Sequence, residues 1–593
     1  MADTYRADTV LALDIGSATT RAALFDVVEG VHRFVASAEA PSTVEAPYLD
    51  CSEGVHHAIR DLESFTGRNL MDANSQLIMP GNENGNGTDV LVGTLSAGPA
   101  VRTLLVGLLP EISLENARQV AASAYCSIVD GFSLGDHRRD YEQLDAAVAA
   151  QPGLLIVSGG TDGGAQDALY HQLETANLAC NLLPPGQKPY LFYIGNPALR
   201  RKVAQLFGEA VVMCSGPNVQ PTLGEEARML APARAELARV FHDMRQTQIG
   251  GLSRLAQMGG GFPFQPTSLA EALTVQHLSR ALGKSVLSVN VGAGASSVIA
   301  MPRNAPTPYI NVRPDLGLGA SAAKALGTIP LANFTRWLPA DVPAAAGNRS
   351  LEGQMGDFVF NKSFHPRSIP GDLIDLYFEL ALAREILRVN LRQARSNWPA
   401  AVRSAAGLPV FDVIIGGGAA LGQAPHPGLA ALALLDTLEP AGFIQALLLD
   451  EHHLLAALGA LAQINPLAVA QILEGEPFQM LGAAVCASGS ARLGEKICQA
   501  KLIGADGTEL AADLKFGALE ILPLPLGKRG KLSLKPRGGI DMGFGPGRGG
   551  TREVAGGMVG VILDGRGRPI AFPENPAERA AAVQNWMDRV SST

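Results

Sequence analysis

The stretch "VLALDIGSATTRAALFD", residues 10–26, holds the residues best placed to do chemistry. An apolar strand runs into Asp14, the chain turns through Gly16, Ser17, Ala18, Thr19 and Thr20, and a second strand leaves through Arg21. Small turn residues allow successive backbone N–H groups and hydroxyls to point at one anion. A carboxylate at the strand end can hold Mg²⁺ through water, and Arg21 adds positive charge. The pattern suits a phosphate, although a plain β-hairpin with a polar turn would look the same in isolation. "VLSVNVGAGASSVIA", residues 286–300, repeats the build with Asn290, Gly292, Gly294 and Ser296. "FDVIIGGGAALG" adds Gly416, Gly417 and Gly418, a bare backbone on which an adenine or ribose could lie. A further acid, Asp162 in "GGTDGG", follows another strand pattern. It reads equally as a water-orienting carboxylate or as an Asx-turn ahead of a helix.

These residues need strands to carry them, and strand patterns recur in "VLALDIG", "LLIVSGG", "PYLFYIGN", "AVVMCSG", "SVLSVNVG" and "FDVIIGGG". Each ends in Gly or another small residue and alternates with helix-length segments, which predicts an α/β fold with buried strands. Ligands of open α/β sheets sit at such carboxyl ends. Two helices are predicted most clearly: "GEEARMLAPARAELARVFHDMRQ", and a long one after Pro370 with Asp372 as N-cap. Residues 90–110 form a nearly apolar run, but Pro99 and Arg102 at its middle predict two buried segments and a turn rather than a membrane span. After about residue 475 short strands alternate with Gly/Pro turns, a β-rich terminal region. Its cluster Lys528, Arg529, Lys531, Lys535 and Arg537 is a candidate docking face for an acidic partner.

At 593 residues the chain exceeds one hydrophobic core. Its net charge of −9 disfavours general nucleic-acid binding. The six cysteines form no C-x-x-C pair, which predicts reduced thiols and argues against a zinc site or an iron-sulfur cluster. The start "MADTYRADTV" carries no export-signal pattern, so a cytoplasmic protein is expected. "RALGKS" ends like a Walker A loop, but Leu278 stands where the first glycine belongs. His56-His57 and His452-His453 lack metal-ligand spacing.

In this order, the two hairpins and the glycine strand resemble the ASKHA superfamily of actin, DnaK-type chaperones and sugar kinases. "LDIGSATTRAALFD", "SAGPAVRTLLVGLLPEISLENARQVA", "VSGGTDGGAQ", "NVQPTLG", "PDLGLGASA" and "GGGAALGQAPHPG" narrow the resemblance to the glutamate-mutase-associated MutL (GlmL) family, over most of residues 10–470. It implies a two-lobed, ribonuclease-H-like actin/DnaK-type fold. Lobe I would span 1–270 with an inserted subdomain and lobe II 271–474, followed by a β-rich C-terminal domain at 475–593. It further implies ATP and Mg²⁺ as cofactors, with Asp14 at the metal and Asp162 on the first connecting segment. The implied partner is an adenosylcobalamin-dependent mutase that the protein serves as chaperone or reactivator.

The second hairpin departs from the family pattern D-x-G-G-A-T-T-D: Asn290 and Ser297 stand where the acids belong. An amide supplies neither the charge nor the proton acceptance of a carboxylate, so binding without efficient hydrolysis is expected. Two rival readings follow. One is a non-hydrolysing scaffold that forms homo-oligomers or filaments, and the other is a small-molecule kinase with Asp162 as its base.

Overall fold

A computed structural model describes residues 8–592 apart from 83, 165, 185, 220–225, 343–349, 400–401 and 403–407, and apart from the side chains of 226–229. Most of "NVQPTLG" lies outside the described residues. The chain divides into two units. Unit 1 holds Met1–Thr274, Pro306–Asp315 and Leu455–Ile472; unit 2 holds Val275–Ala305, Leu316–Leu454 and Leu473–Thr593.

Unit 1 contains two sheets. In the first, the fully buried strand Val10–Ile15 pairs antiparallel with Thr19–Val28, which pairs antiparallel with Val31–Pro41. On its other side Val10–Ile15 runs parallel to Val90–Leu95, and that strand parallel to Gln265–Pro266. A three-stranded meander extended by parallel strands is the ribonuclease-H-like arrangement. Helix Ser52–Thr66 covers the sheet with Val55, Ala58, Ile59 and Leu62, the spacing of one helical face. Gly54 lets it approach closely, because a Cβ there would stand 2.9 Å from the Pro41 carbonyl oxygen.

The second sheet of unit 1 is wholly parallel, with spatial order Cys126–Phe132, Val101–Val106, Leu154–Val157, Tyr190–Tyr193, Val212–Ser215. It is inserted in sequence between Val90–Leu95 and Gln265–Pro266. The apolar run of residues 90–110 thus divides between two sheets, at the Gly98-Pro99 turn. Helices Asp140–Ala150, Asp167–Asn181 and Arg200–Phe207 accompany these strands, and Leu104, Leu155, Leu173, Leu191 and Val203 are part of their common core. Helix Glu226–Gln246 follows where the sequence predicts one.

Unit 2 repeats the first pattern. Val286–Val291 pairs antiparallel with Ser296–Met301 and parallel with Val413–Gly417, which runs parallel to Gly442–Asp450. Beyond residue 475 the sheet continues through Gln479–Cys486, Gly560–Asp564 and Leu519–Leu522. A four-stranded antiparallel sheet, Glu509–Lys515, Lys496–Gly504, Arg529–Pro536 and Gly550–Ala555, accompanies them. The chain closes in helix Pro576–Ser591. Helix Leu373–Ser396 is capped as the sequence predicts: the Asp372 carboxylate accepts a hydrogen bond from the Asp375 N–H at 2.9 Å. The fold is α/β, and each unit carries a hairpin sheet in which antiparallel strands are extended by parallel ones.

Candidate nucleotide-binding hairpins

Asp14 stands at the carboxyl end of its strand, directly opposite Arg21 on one neighbour and Thr94 on the other. Its Oδ1 accepts from the Thr94 hydroxyl at 2.7 Å and from the Thr267 hydroxyl at 2.9 Å. Its Oδ2 lies 3.6 Å from Arg21 Nη1, while Arg21 Nε faces Glu39 at 3.3 Å. One carboxylate oxygen is thereby fixed and the other lies beside the cation. The turn closes with the Gly16 N–H donating to the Thr19 carbonyl at 3.0 Å. The N–H groups of Ser17 and Ala18 meet no acceptor among the described residues. Thr20 points to the opposite face, where it is fully buried with its hydroxyl against Gly54.

The sequence reading missed the groups that hold Asp14. Thr94 and Thr267 reach it from 80 and 253 residues away. The buried phenol of Tyr125 faces Thr267 and Ser96, with the carboxylates of Asp14 and Glu271 nearby. Burial first, and then those two negative charges, drive its pKa above the ordinary value. Glu271, 3% exposed on helix Thr267–Leu282, is thus a second acid near the first hairpin. A polar residue ending an apolar strand was the available signal for Thr94; nothing local marks Glu271.

In unit 2 the Gly292 N–H donates to the Ala295 carbonyl at 2.9 Å, and Asn290 stands opposite Ser297. The N–H groups of Ala293 and Gly294 meet no acceptor among the described residues, while the Gly294 carbonyl accepts from the Ser321 hydroxyl at 2.8 Å. Ser296 faces helix Leu373–Ser396, where Asn390 Nδ2 donates to its hydroxyl at 2.9 Å. Gly417 lies beside Asn290, and a Cβ on Gly418, whose φ is +102°, would stand 2.1 Å from the Val291 carbonyl oxygen. A Cβ on Gly416 would press on Leu434 at 2.9 Å. Packing therefore already demands bare backbone at Gly418, whereas at Gly416 only the ends of the Leu434 and Leu421 side chains would have to shift.

Asp162 stands on a different sheet from Asp14. It follows Leu154–Val157 in the inserted parallel sheet, where its Oδ1 accepts from Asn218 Nδ2 at 2.9 Å. The strand that flanks Val10–Ile15 is Val90–Leu95, so "LSAGP" rather than "SGGTDGG" stands at the first connecting position. Among the described residues no group of three or more His, Cys, Asp or Glu is arranged to hold a metal ion. All six cysteines are free. No described helix is long and apolar enough to cross a membrane.

Comparison with known proteins decides the family. The MutL protein family profile matches residues 10–476. The chain belongs to the MutL family. Protein MutL of Clostridium tetanomorphum is 22% identical over 500 residues, covering 79% of this chain and 98% of that protein. Among solved structures, nucleotide-free acetone carboxylase aligns at TM-score 0.33 and 12% identity, covering 86% of this chain and 81% of the other. Xylulose kinase from Lactobacillus acidophilus aligns at TM-score 0.30 and 11% identity, covering 80% and 92%.

Proposed function

We propose that this MutL-family chain is an ATP-binding accessory protein that serves an adenosylcobalamin-dependent mutase as chaperone or reactivator. The observation that carries the nucleotide reading is Asp14. It is a buried carboxylate whose Oδ1 is held by two hydroxyls, at the base of a small-residue turn whose Ser17 and Ala18 N–H groups have no acceptor among the described residues. Those residues fit a magnesium-bound phosphate: turn N–H groups face the anion, and Asp14 is a hard oxygen ligand suited to a hydrated cation. Mg²⁺, when bound, supplies charge neutralisation on the phosphates. The buried Glu271 and Tyr125 lie near Asp14 and share its Thr267 surroundings. The mutase as partner rests on the family resemblance, and the cytoplasm as compartment on the six unpaired cysteines.

The second hairpin favours binding over turnover, because Asn290 and Ser297 supply no carboxylate there. The same observation supports a second reading, a non-hydrolysing scaffold that assembles into homo-oligomers. A small-molecule kinase has less support, since its candidate base, Asp162, lies on another sheet from Asp14. Calorimetric titration with Mg·ATP and Mg·ADP, then phosphate release from the same sample, tests the first reading. Binding that falls sharply in Asp14→Ala, together with ATP-dependent recovery of a turnover-inactivated mutase, is the expected result. Absence of nucleotide binding by a folded protein would overturn it. Sedimentation with and without nucleotide separates the scaffold from a monomeric switch.

A further inference from the structure

The inserted parallel sheet has its own ligand-binding geometry. Numbered along the chain, its strands lie in the order 2-1-3-4-5. The connections reverse direction between Val101–Val106 and Leu154–Val157, and ligands of open parallel sheets collect outside the carboxyl ends at such a reversal. At that edge stands Ser158–Gly164, a loop with positive φ at Gly159, Gly160 and Gly163. A Cβ on Gly159 would stand 3.2 Å from Ser113 Oγ and 3.3 Å from the Leu108 nitrogen, so the loops from the two central strands meet there.

The loop is held in shape from the next two strand ends. Asn196, fully buried, accepts from the Gly163 N–H and donates to the Gly164 carbonyl, each at 3.3 Å. Asn218 Nδ2 donates to the Gly160 carbonyl at 3.0 Å as well as to Asp162. What remains is a set of unused polar groups. The N–H groups of Gly159, Gly160, Thr161 and Asp162 donate to no acceptor among the described residues. The Ser158 hydroxyl, 0% exposed, and Asn218 Oδ1, on a residue 7% exposed, have no hydrogen-bond partner among the described residues. Two buried side-chain groups beside one loop thus stand without a hydrogen-bond partner among the described residues, each at a cost of about 1–3 kcal/mol that a ligand drawn into the loop would offset.

Four successive N–H groups without an acceptor among the described residues, on a loop with positive φ at Gly159 and Gly160, are the material of an anion cradle. Positive charge at the same edge comes from helix Arg200–Phe207: Arg200 donates to the Gly216 carbonyl and Lys202 reaches Gln166 Oε1 at 3.5 Å. Asp162 is exposed beside the cradle and accepts hydrogen bonds only, which matches a hydroxyl donor. We propose that this edge is a second small-molecule site, independent of the ATP hairpins, that binds a phosphate ester of a hydroxylated compound such as a sugar phosphate. The phosphate sits on the 159–162 N–H groups and a hydroxyl on Asp162.

The test is calorimetric titration of the full chain with ribose 5-phosphate, ribose and inorganic phosphate, each repeated under saturating Mg·ATP. Ribose 5-phosphate should bind at least tenfold more tightly than either fragment and should not be displaced by Mg·ATP. Ser158→Ala removes a hydroxyl that has no hydrogen-bond partner among the described residues, so thermal stability should hold or rise while ribose 5-phosphate affinity falls about tenfold. Asp162→Asn should lower affinity for ribose 5-phosphate but not for inorganic phosphate, and neither variant should change Mg·ATP binding. Failure of ribose 5-phosphate to bind, its displacement by Mg·ATP, or full affinity in a folded Ser158→Ala variant would each overturn the proposal. A chain that binds no Mg·ATP yet binds ribose 5-phosphate would refute the nucleotide reading alone.

Discussion

The two hairpins share a backbone and differ in chemistry. Each closes its turn with the same N–H to carbonyl bond three residues on, from Gly16 to Thr19 and from Gly292 to Ala295. Each runs beside a parallel strand, and in each the residue just after the turn faces a helix: Thr20 meets Gly54, and Ser296 meets Asn390. The registers match as well, with Asp14 opposite Arg21 and Thr94, and Asn290 opposite Ser297 and Gly417. The first hairpin therefore presents a carboxylate beside a cation, and the second an amide beside a hydroxyl. The cradle for a phosphate is a property of backbone and small residues; the means of attacking it is a property of side chains, and the two separate.

The largest expected effect comes from restoring the acids. Asn290→Asp combined with Ser297→Asp should raise phosphate release by about 10²-fold or more, the usual contribution of a positioned acid or base. A folded double variant that binds Mg·ATP but releases phosphate no faster would show that the hairpins differ by more than these acids. The converse change, Asp14→Asn, turns the first hairpin into the second. It keeps the shape but removes the charge proposed to hold Mg²⁺, and should weaken Mg·ATP by about 2 kcal/mol, or roughly 30-fold, measured calorimetrically. Unchanged affinity would mean that the first hairpin, too, works through its backbone alone.

The turns themselves can be set against each other. A Cβ on Gly16 would stand 2.9 Å from the Thr19 carbonyl oxygen, whereas one on Gly292 would stand 3.4 Å from that of Ala295, an ordinary contact. Gly16→Ala should cost about 1–2 kcal/mol in thermal unfolding, and Gly292→Ala less than about 0.5 kcal/mol. Equal losses would contradict the packing difference.

Much of this contrast was legible in the sequence, because a strand that ends in one polar residue and a run of small ones is a local pattern. The six strand patterns and the Asp372 cap were legible for the same reason: period, cap chemistry and Gly placement are written within a few residues. What supports Asp14 was not. Thr94, Thr267, Tyr125 and Glu271 converge through parallel pairings and a helix start far along the chain. The division of strands between two sheets was equally hidden. Val90–Leu95 and Leu154–Val157 are both short apolar runs followed by a serine, and only the pairing shows which one flanks Val10–Ile15.

The smallest expected effect distinguishes the hairpins by pH. The Phe264 N–H donates to His242 Nδ1 at 3.2 Å, and the imidazole, 4% exposed, stacks on the Phe264 ring at 6.3 Å. Phe264 leads into Gln265–Pro266 and so to Thr267, one of the two hydroxyls on Asp14. Burial holds the His242 pKa below its ordinary value, partly offset by the Asp243 charge. The unfolded chain thus binds a proton near pH ~6.5 that the folded chain refuses. Stability is lost as pH falls from there toward the folded pKa, by about 1 kcal/mol or less. The polar contact behind the second hairpin, Asn390 to Ser296, does not titrate. Hydrogen exchange from pH 7.5 to 5.5, corrected for its intrinsic pH dependence, should therefore show loosening around residues 264–267 with residues 290–297 unaffected. His242→Gln should remove the difference. Loosening of both segments together, or persistence of the effect in the variant, would place the acid-sensitive group elsewhere and remove pH as a way of addressing one hairpin alone.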